Sequence, residues 1–410
     1  MSLHWPKRCL RLILLPSLSL IAAACQSVPD SPLYAPSSSK MSFDYAGDEP
    51  FEAYVRQASE LINTERVFLA ENEQDKATEF ERVKPFEQAL PATCPVPVPH
   101  GVLLLHGVLD TPFAMRDIAA ALAERCIASR AILLPGHGTR PGDMLGIHWR
   151  DWVAAAQYGV RSLKREHESV SMIGFSLGGL ISLHTAAMRS DVHRIVALSP
   201  ALHVGYPYLV WHAQWLRHFV DWMDRDPFRL SVRYSATSTN GVAQIYALSK
   251  EVQSLIKSNG LATPALVIQS QDEITIDPIE NRNFMQEYMP SPHHLIEYGA
   301  NTIGLQNSEL RKSFYPEEHV LNFSHVTLPY RPDNPVFGRK GSHKECGENI
   351  GLVDAREAEQ CIANAVNWKG EVGSAKEDKY RPVQRLTFNP DFDAMIESIV
   401  NWITVPVAKQ

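Results

Sequence analysis

No stretch of this sequence looks able to cross a bilayer. The apolar segment Leu12 to Ala24 falls short of the roughly 20 residues that a membrane helix needs. Positive charge is also scarce, with 39 Lys and Arg against 46 Asp and Glu and a formal net charge of −7. Three of those bases (Lys7, Arg8, Arg11) fall in the first 24 residues, which hold no acid, so the remainder carries −10. A chain this acidic has no electrostatic footprint for nucleic acid, and that class of partner is set aside. Histidine and cysteine are scattered without metal-ligand spacing, so no metal and no cofactor is implied. Hydrophobic residues are not lacking. At 45%, in a chain of 410 residues, they suit one large α/β domain with insertions, or two domains.

The N-terminus reads as a targeting segment. A basic n-region precedes the short apolar stretch, which ends Ile21-Ala-Ala-Ala-Cys25. Small residues running into a cysteine resemble a bacterial lipoprotein signal, in which cleavage after residue 24 leaves Cys25 as the lipidated N-terminus. An ordinary secretory peptide is the alternative. The lipoprotein resemblance implies attachment to the cell envelope, at the outer membrane facing the periplasm of a Gram-negative bacterium. Residues 25–50, with Pro29, Pro32, Pro36 and the run Ser37-Ser-Ser, read as a flexible tether. Export permits disulfides. With Cys9 and Cys25 set aside, four cysteines remain, and Cys94 with Cys126 and Cys346 with Cys361 are the expected pairs. The first two precede strands that should be neighbours, and the last two bracket one late insertion. Free buried thiols are the alternative.

Along the chain, short apolar runs alternate with helical periodicity. Residues 51–90 form a helical extension. Strands are expected at Val102–Leu105, 132–134, Val170–Ile173, Ile195–Leu198 and 265–268, with helices from Met115, Trp149 and Leu177 between them. Strands alternating with helices predict an α/β fold, a mostly parallel sheet flanked by helices. The first part of the core spans 91–202 and the second 263–330. Between them, residues 203–262 lose their periodicity and carry Trp211, Trp215 and Trp222, which reads as a helical cap over the C-terminal edge of the sheet. Its rings could face an acyl chain or pack the cap onto the core. An insertion at 331–385 and a core helix within 386–410 close the chain.

The chemistry centres on Gly174-Phe-Ser176-Leu-Gly178, a G-x-S-x-G turn between a strand and a helix. So tight a turn forces the serine into strained backbone angles and presents its hydroxyl at a helix N-terminus. A serine hydroxyl needs a base, which is itself oriented by an acid. The loop after the strand at 265–268 offers Asp272, Glu273 and Asp277. Asp272, nearest the strand end, is preferred, with the other two as alternatives. Of the sixteen histidines, His325 follows an apolar segment far enough downstream to serve as base; His319 and His343 compete but look solvated. His106 and His137 sit in glycine turns and shape loops. The oxyanion hole is assigned to the amides of Leu177 and Val108.

Five segments together resemble the α/β-hydrolase superfamily: Leu103-Leu-Leu-His-Gly107, Leu134-Pro-Gly-His-Gly-Thr139, Gly174 to Gly179, the strand before Asp272, and Phe323-Ser-His325. The branch resembled is the carboxylesterase and monoacylglycerol lipase-like group, of serine-aminopeptidase type. The resemblance covers roughly residues 90–330 and the final helix, whereas 331–385 departs from it. It implies a Ser-His-Asp serine hydrolase of acyl esters such as monoacylglycerols or lysophospholipids, held at the membrane by its anchor. Two alternatives remain. One is amide or peptide hydrolysis of the aminopeptidase type, for which Asp221, Asp224 and Asp226 could bind a substrate amine. The other is an envelope lipoprotein binding module without catalysis.

Overall fold

The structure, a computed structural model, describes residues 31–225, 231–290, 292–346, 355–364, 366–373, 379–380 and 382–405. The targeting segment, Cys25 and Asp226 lie outside the described residues. The principal strands are β1 (Phe86–Glu87), β2 (His100–Leu105), β3 (Ala128–Ala131), β4 (Ser169–Phe175), β5 (Ile195–Leu198), β8 (Ala265–Ser270), β9 (His294–Tyr298) and β10 (Ser308–Arg311). They form one sheet in the order β1-β3-β2-β4-β5-β8-β9-β10. Strand β1 runs antiparallel to β3, and every other pairing is parallel. Two short hairpin strands, β6 (Trp222–Arg225) and β7 (Ala236–Ser238), lie outside this sheet, as do β11 (Trp368–Gly370) and β12 (Val383–Arg385).

The strands alternate between two cores. Leu103, Leu105, Val170, Met172, Ile195, Ala197 and Val267 face one apolar cluster. Val102, Leu104, Ile173, Phe175, Val196, Leu198 and Ile268 face the other. A parallel sheet has both faces covered, which is why these runs read as continuous hydrophobic stretches in the sequence. The first core is closed by α4 (Trp149–Lys164), α5 (Leu177–Met188) and α7 (Thr239–Asn259), and the second by α3 (Arg116–Ala123) and α10 (Phe392–Thr404). Strand β2 pairs with β3 on one side and β4 on the other, so the winding direction reverses there. The crevice above such a reversal is where open α/β sheets bind ligands.

Both expected disulfides are formed, Cys94–Cys126 and Cys346–Cys361. The first ties together the approaches to β2 and β3, which are indeed neighbours.

Two expectations are corrected. The strand placed at 132–134 ends instead at Ala131, because the next amides take side-chain partners: Leu133 N–H donates to Tyr54 Oη (3.0 Å) and Leu134 N–H to His106 Nε2 (3.1 Å). The tether placed at 25–50 is, over 31–50, laid onto the core. Ser37 donates to Asp143, and Ser38 and Ser39 donate to Glu65 at the end of α1 (Phe51–Glu65). Phe43 is buried between the rings of Tyr54 and Tyr158, at 5.2 and 4.8 Å. The serines that read as spacer are the donors that satisfy two carboxylates.

This anchoring is expected to weaken in acid. The hydroxyls of Ser38 and Ser39 hold the Glu65 carboxyl down to about 2 from an ordinary 4.5. A depressed carboxyl stabilises the folded contact above its ordinary value, and that contribution is lost as pH falls from about 4.5 towards 2. Lys40 is already exposed, and Glu65→Gln is expected to free the backbone around it at neutral pH, with tryptic cleavage there accelerated about tenfold. In the unaltered chain, amide exchange over residues 37–43 should rise through that acid window. Equal cleavage of both proteins would count against the contact.

Candidate active site

The turn after β4 is as tight as its glycines imply. Ser176 has φ 53° and ψ −109°, in the region that side-chain-bearing residues rarely adopt. A Cβ on Gly174 would lie 2.1 Å from the Gly178 carbonyl oxygen, and one on Gly178 would lie 2.1 Å from that of Leu105. Neither position admits a side chain. Ser176 immediately precedes α5, whose first amides are unpaired within the helix and carry its positive end.

His325 lies in the loop that follows the apolar segment around Leu321. Its Nε2 is 3.0 Å from Ser176 Oγ, so the serine O–H donates to it. Its Nδ1–H donates to Glu273 Oε2, and Ser199 Oγ donates to the other Glu273 oxygen at 2.9 Å. All four side chains of this chain of contacts are buried.

The expectation of Asp272 as the orienting acid is thereby corrected to Glu273. Strand β8 runs two residues past Ile268, to Ser270, and Ser270 Oγ accepts the Asp272 amide at 3.2 Å while donating to the Phe323 carbonyl at 2.8 Å. That turn carries the chain one residue further before a carboxylate meets the imidazole. Asp272 is half-buried, whereas Glu273 is 3% exposed. Asp277, the other alternative, caps α8 (Pro278–Tyr288) by accepting the amides of Ile279 and Glu280.

The peptide between Gly107 and Val108 is oriented by its own carbonyl. Gly107 O accepts His106 Nδ1–H at 2.8 Å and the Asp110 amide at 3.2 Å. Because His106 Nε2 accepts the Leu134 amide, the ring is the neutral Nδ1–H tautomer, and burial together with nearby His137 lowers its pKa well below the ordinary value. His137 Nε2–H in turn donates to Val108 O at 2.6 Å. The two histidines shape the loop that carries the Val108 amide.

A cavity of about 420 Å³ opens over Ser176, a volume ordinary for small-molecule sites. Val108, Val204, Val210, Val242, Ile245 and Ile362 supply an apolar wall. The cavity is also lined by charged and titratable groups, His343, Glu345 and Arg385 of the late insertion together with Arg233 and Asp110. His343, read from sequence as solvated, therefore borders the site.

From those lining residues a buried ladder runs inward. Arg385 donates to Glu345 Oε1 at 2.7 Å and to Glu371 Oε1 at 3.0 Å, and Glu371 Oε2 accepts the backbone N–H of His325 at 2.9 Å. The insertion thus braces the loop of the imidazole. Neither Glu345, Arg385 nor Glu371 carried a motif that could have marked it in the sequence.

The tryptophans of the cap do not line the cavity. Trp211 and Trp215 of α6 (Pro207–Leu216) are about half exposed, and Trp222 stacks edge-on to Tyr34 at 5.3 Å. Neither expectation for them, acyl contact or core packing, describes the α6 pair, which face outward. Of the acids that could bind a substrate amine, Asp224, on strand β6, lines the cavity.

A parallel sheet reversed at β2, with a serine elbow, histidine and carboxylate above the reversal, defines the class. The profile of the alpha/beta hydrolase family matches residues 102–294, and the chain belongs to that family. It is 30% identical over 191 residues to a thermostable monoacylglycerol lipase of Bacillus sp. (strain H-257), spanning 44% of this chain and 73% of that relative. Among solved structures, a monoacylglycerol lipase of Paleococcus ferrophilus is 18% identical, with a TM-score of 0.44 over 52% of this chain and 87% of its own. A soluble variant of a Saccharomyces cerevisiae monoglyceride lipase is 16% identical, with a TM-score of 0.44 over 55% and 85%. The family match ends before His325 and the insertion.

Proposed function

We propose that the chain is a serine hydrolase of acyl esters. Ser176 attacks the ester carbonyl, and His325 takes the hydroxyl proton and returns it to the leaving alcohol. Glu273 holds the imidazole in the Nδ1–H tautomer and stabilises the imidazolium. The amides of Leu177 and Val108 receive the oxyanion. Water then attacks the acyl-enzyme by the same route and releases the acid. No metal or cofactor enters this scheme. The observation that carries the reading is His325 bridging Ser176 Oγ and Glu273 beside a mostly apolar cavity. Lipid-like esters, such as monoacylglycerols, fit that wall and agree with the lipase named among the relatives. The targeting segment and Cys25 support export and a lipid anchor in the cell envelope, which would bring such substrates near.

The test is labelling by a fluorophosphonate, which reacts with an activated serine. The unaltered protein should label, and Ser176→Ala and His325→Ala should not. A folded protein that stays unlabelled would give the lead to a binding module without turnover.

A further inference from the structure

We propose that the residues before α1 orient the protein on its own membrane. They bring the anchored N-terminus out beside the cap, so that the outward aromatic face of α6 rests on the bilayer that holds Cys25. The proposal rests on the reading of Cys25 as a lipidated anchor, and goes beyond it by assigning which side of the molecule meets lipid.

Helix α6 has two unlike sides. Tyr208, Trp211 and Trp215 follow one another at spacings of three and four, so they share one side of the helix. All three are exposed, Tyr208 to 85%. Phe219 and Val220, just past the end of α6, extend the exposed apolar surface. The inner side is engaged. Ala213 is fully buried, Gln214 donates to the Ala243 carbonyl of α7, and Val210 lines the cavity over Ser176. Large rings left in water along one helix face mark a surface that meets a partner.

Where the N-terminus arrives names that partner. Tyr34 packs edge-on against Trp222 at 5.3 Å, and Arg225 lies over the Tyr34 ring at 5.6 Å, both on the strand β6 that follows α6. Trp222 comes two residues after Val220, so Tyr34 sits at the border of the aromatic face. The approach is held in place. A Cβ on Gly142 would lie 2.1 Å from the Ala35 carbonyl oxygen, and Ser37 donates to Asp143. From Ser31 back to Cys25 is six residues, a reach of at most about 20 Å for an extended chain. An acyl anchor on Cys25 therefore draws this side of the molecule to the bilayer.

The chemistry of the face suits lipid. Tryptophan and tyrosine carry a polar N–H or O–H on an apolar ring and favour the level of the headgroups. Residues 204–220 hold no acid, in a chain of net charge −7, so nothing on this segment is repelled by anionic lipid. Stable membrane binding takes two attachments, and the anchor and the aromatic face supply them from one side.

The experiment uses the full-length chain purified with its own anchor and reconstituted into vesicles of phosphatidylethanolamine and phosphatidylglycerol. The lipids carry bromine on their acyl chains, which quenches tryptophan only on contact. Quenching is expected to fall about threefold in Trp211→Phe/Trp215→Phe, which keeps the apolar face and removes its reporters. Lengthening the chain by about thirty Gly and Ser residues between Cys25 and Ser31 should also weaken quenching about threefold, because the face then loses its effective concentration at the bilayer. A chain held on the vesicles with its tryptophans unquenched would overturn the orientation, and if it also sediments as a dimer in detergent the face belongs to a second copy. Equal quenching with the longer tether would overturn the orienting role of the residues before α1. A chain purified without lipid on Cys25 would overturn this proposal and the anchor together. Fluorophosphonate labelling of Ser176 in the same preparations tests the hydrolase reading separately.

Discussion

Glu273→Gln is expected to lower kcat on esters by about ten-thousand-fold, with the fold intact. The size follows from how the side chain is held. Ser199 Oγ donates to Glu273 Oε1, so a glutamine at this position keeps its oxygen on Ser199 and turns its amide towards His325. The imidazole then becomes an acceptor at Nδ1 and carries its proton on Nε2, facing Ser176. A base already protonated towards the nucleophile cannot take the hydroxyl proton. Asp272→Asn, one residue away, should keep most of the activity. Steady-state kinetics on both variants separates the assignments, and the reverse result would return the role to Asp272.

Arg385→Met is expected to destabilise the protein by about 3–5 kcal/mol near neutral pH. Arg385 is buried between Glu345 and Glu371, and removing it leaves two buried carboxylates facing each other's field. Glu371 is already raised by burial, even with Arg385 present to lower it. Without the guanidinium, both carboxyls should titrate above their unfolded value. A raised carboxyl destabilises the fold as pH rises past that value, so the deficit should be largest near pH 7 and shrink below about pH 4. Urea unfolding at the two pH values checks the sign. Activity should fall as well, because Glu371 holds the backbone of His325. An unchanged midpoint at neutral pH would show that the ladder contributes nothing.

The architecture and the nucleophile were legible in the sequence because local rules dictate them. Short apolar runs broken by turns and alternating with helical periodicity read as strands of a sheet covered on both faces, and Gly174 and Gly178 mark a turn that admits no Cβ. Cysteines before adjacent strands, and close together within one insertion, could be paired on the same footing. The acid was not legible. Asp272 and Glu273 are neighbours of like chemistry, and which one meets His325 depends on where β8 ends and on how Ser270 ties the loop to Phe323. The charged lining was still less so. Glu345, Glu371 and Arg385 lie up to 40 residues apart in a segment without periodicity, and their partners come from packing between distant parts of the chain. Sequence by itself marked the parallel centre of the sheet, the elbow and His325 as the histidine that meets Ser176, but not β1, β9 or β10. The tertiary structure decided which carboxylate orients that histidine and what the substrate meets, because hydrogen bonds between remote side chains follow distance in space rather than spacing along the chain.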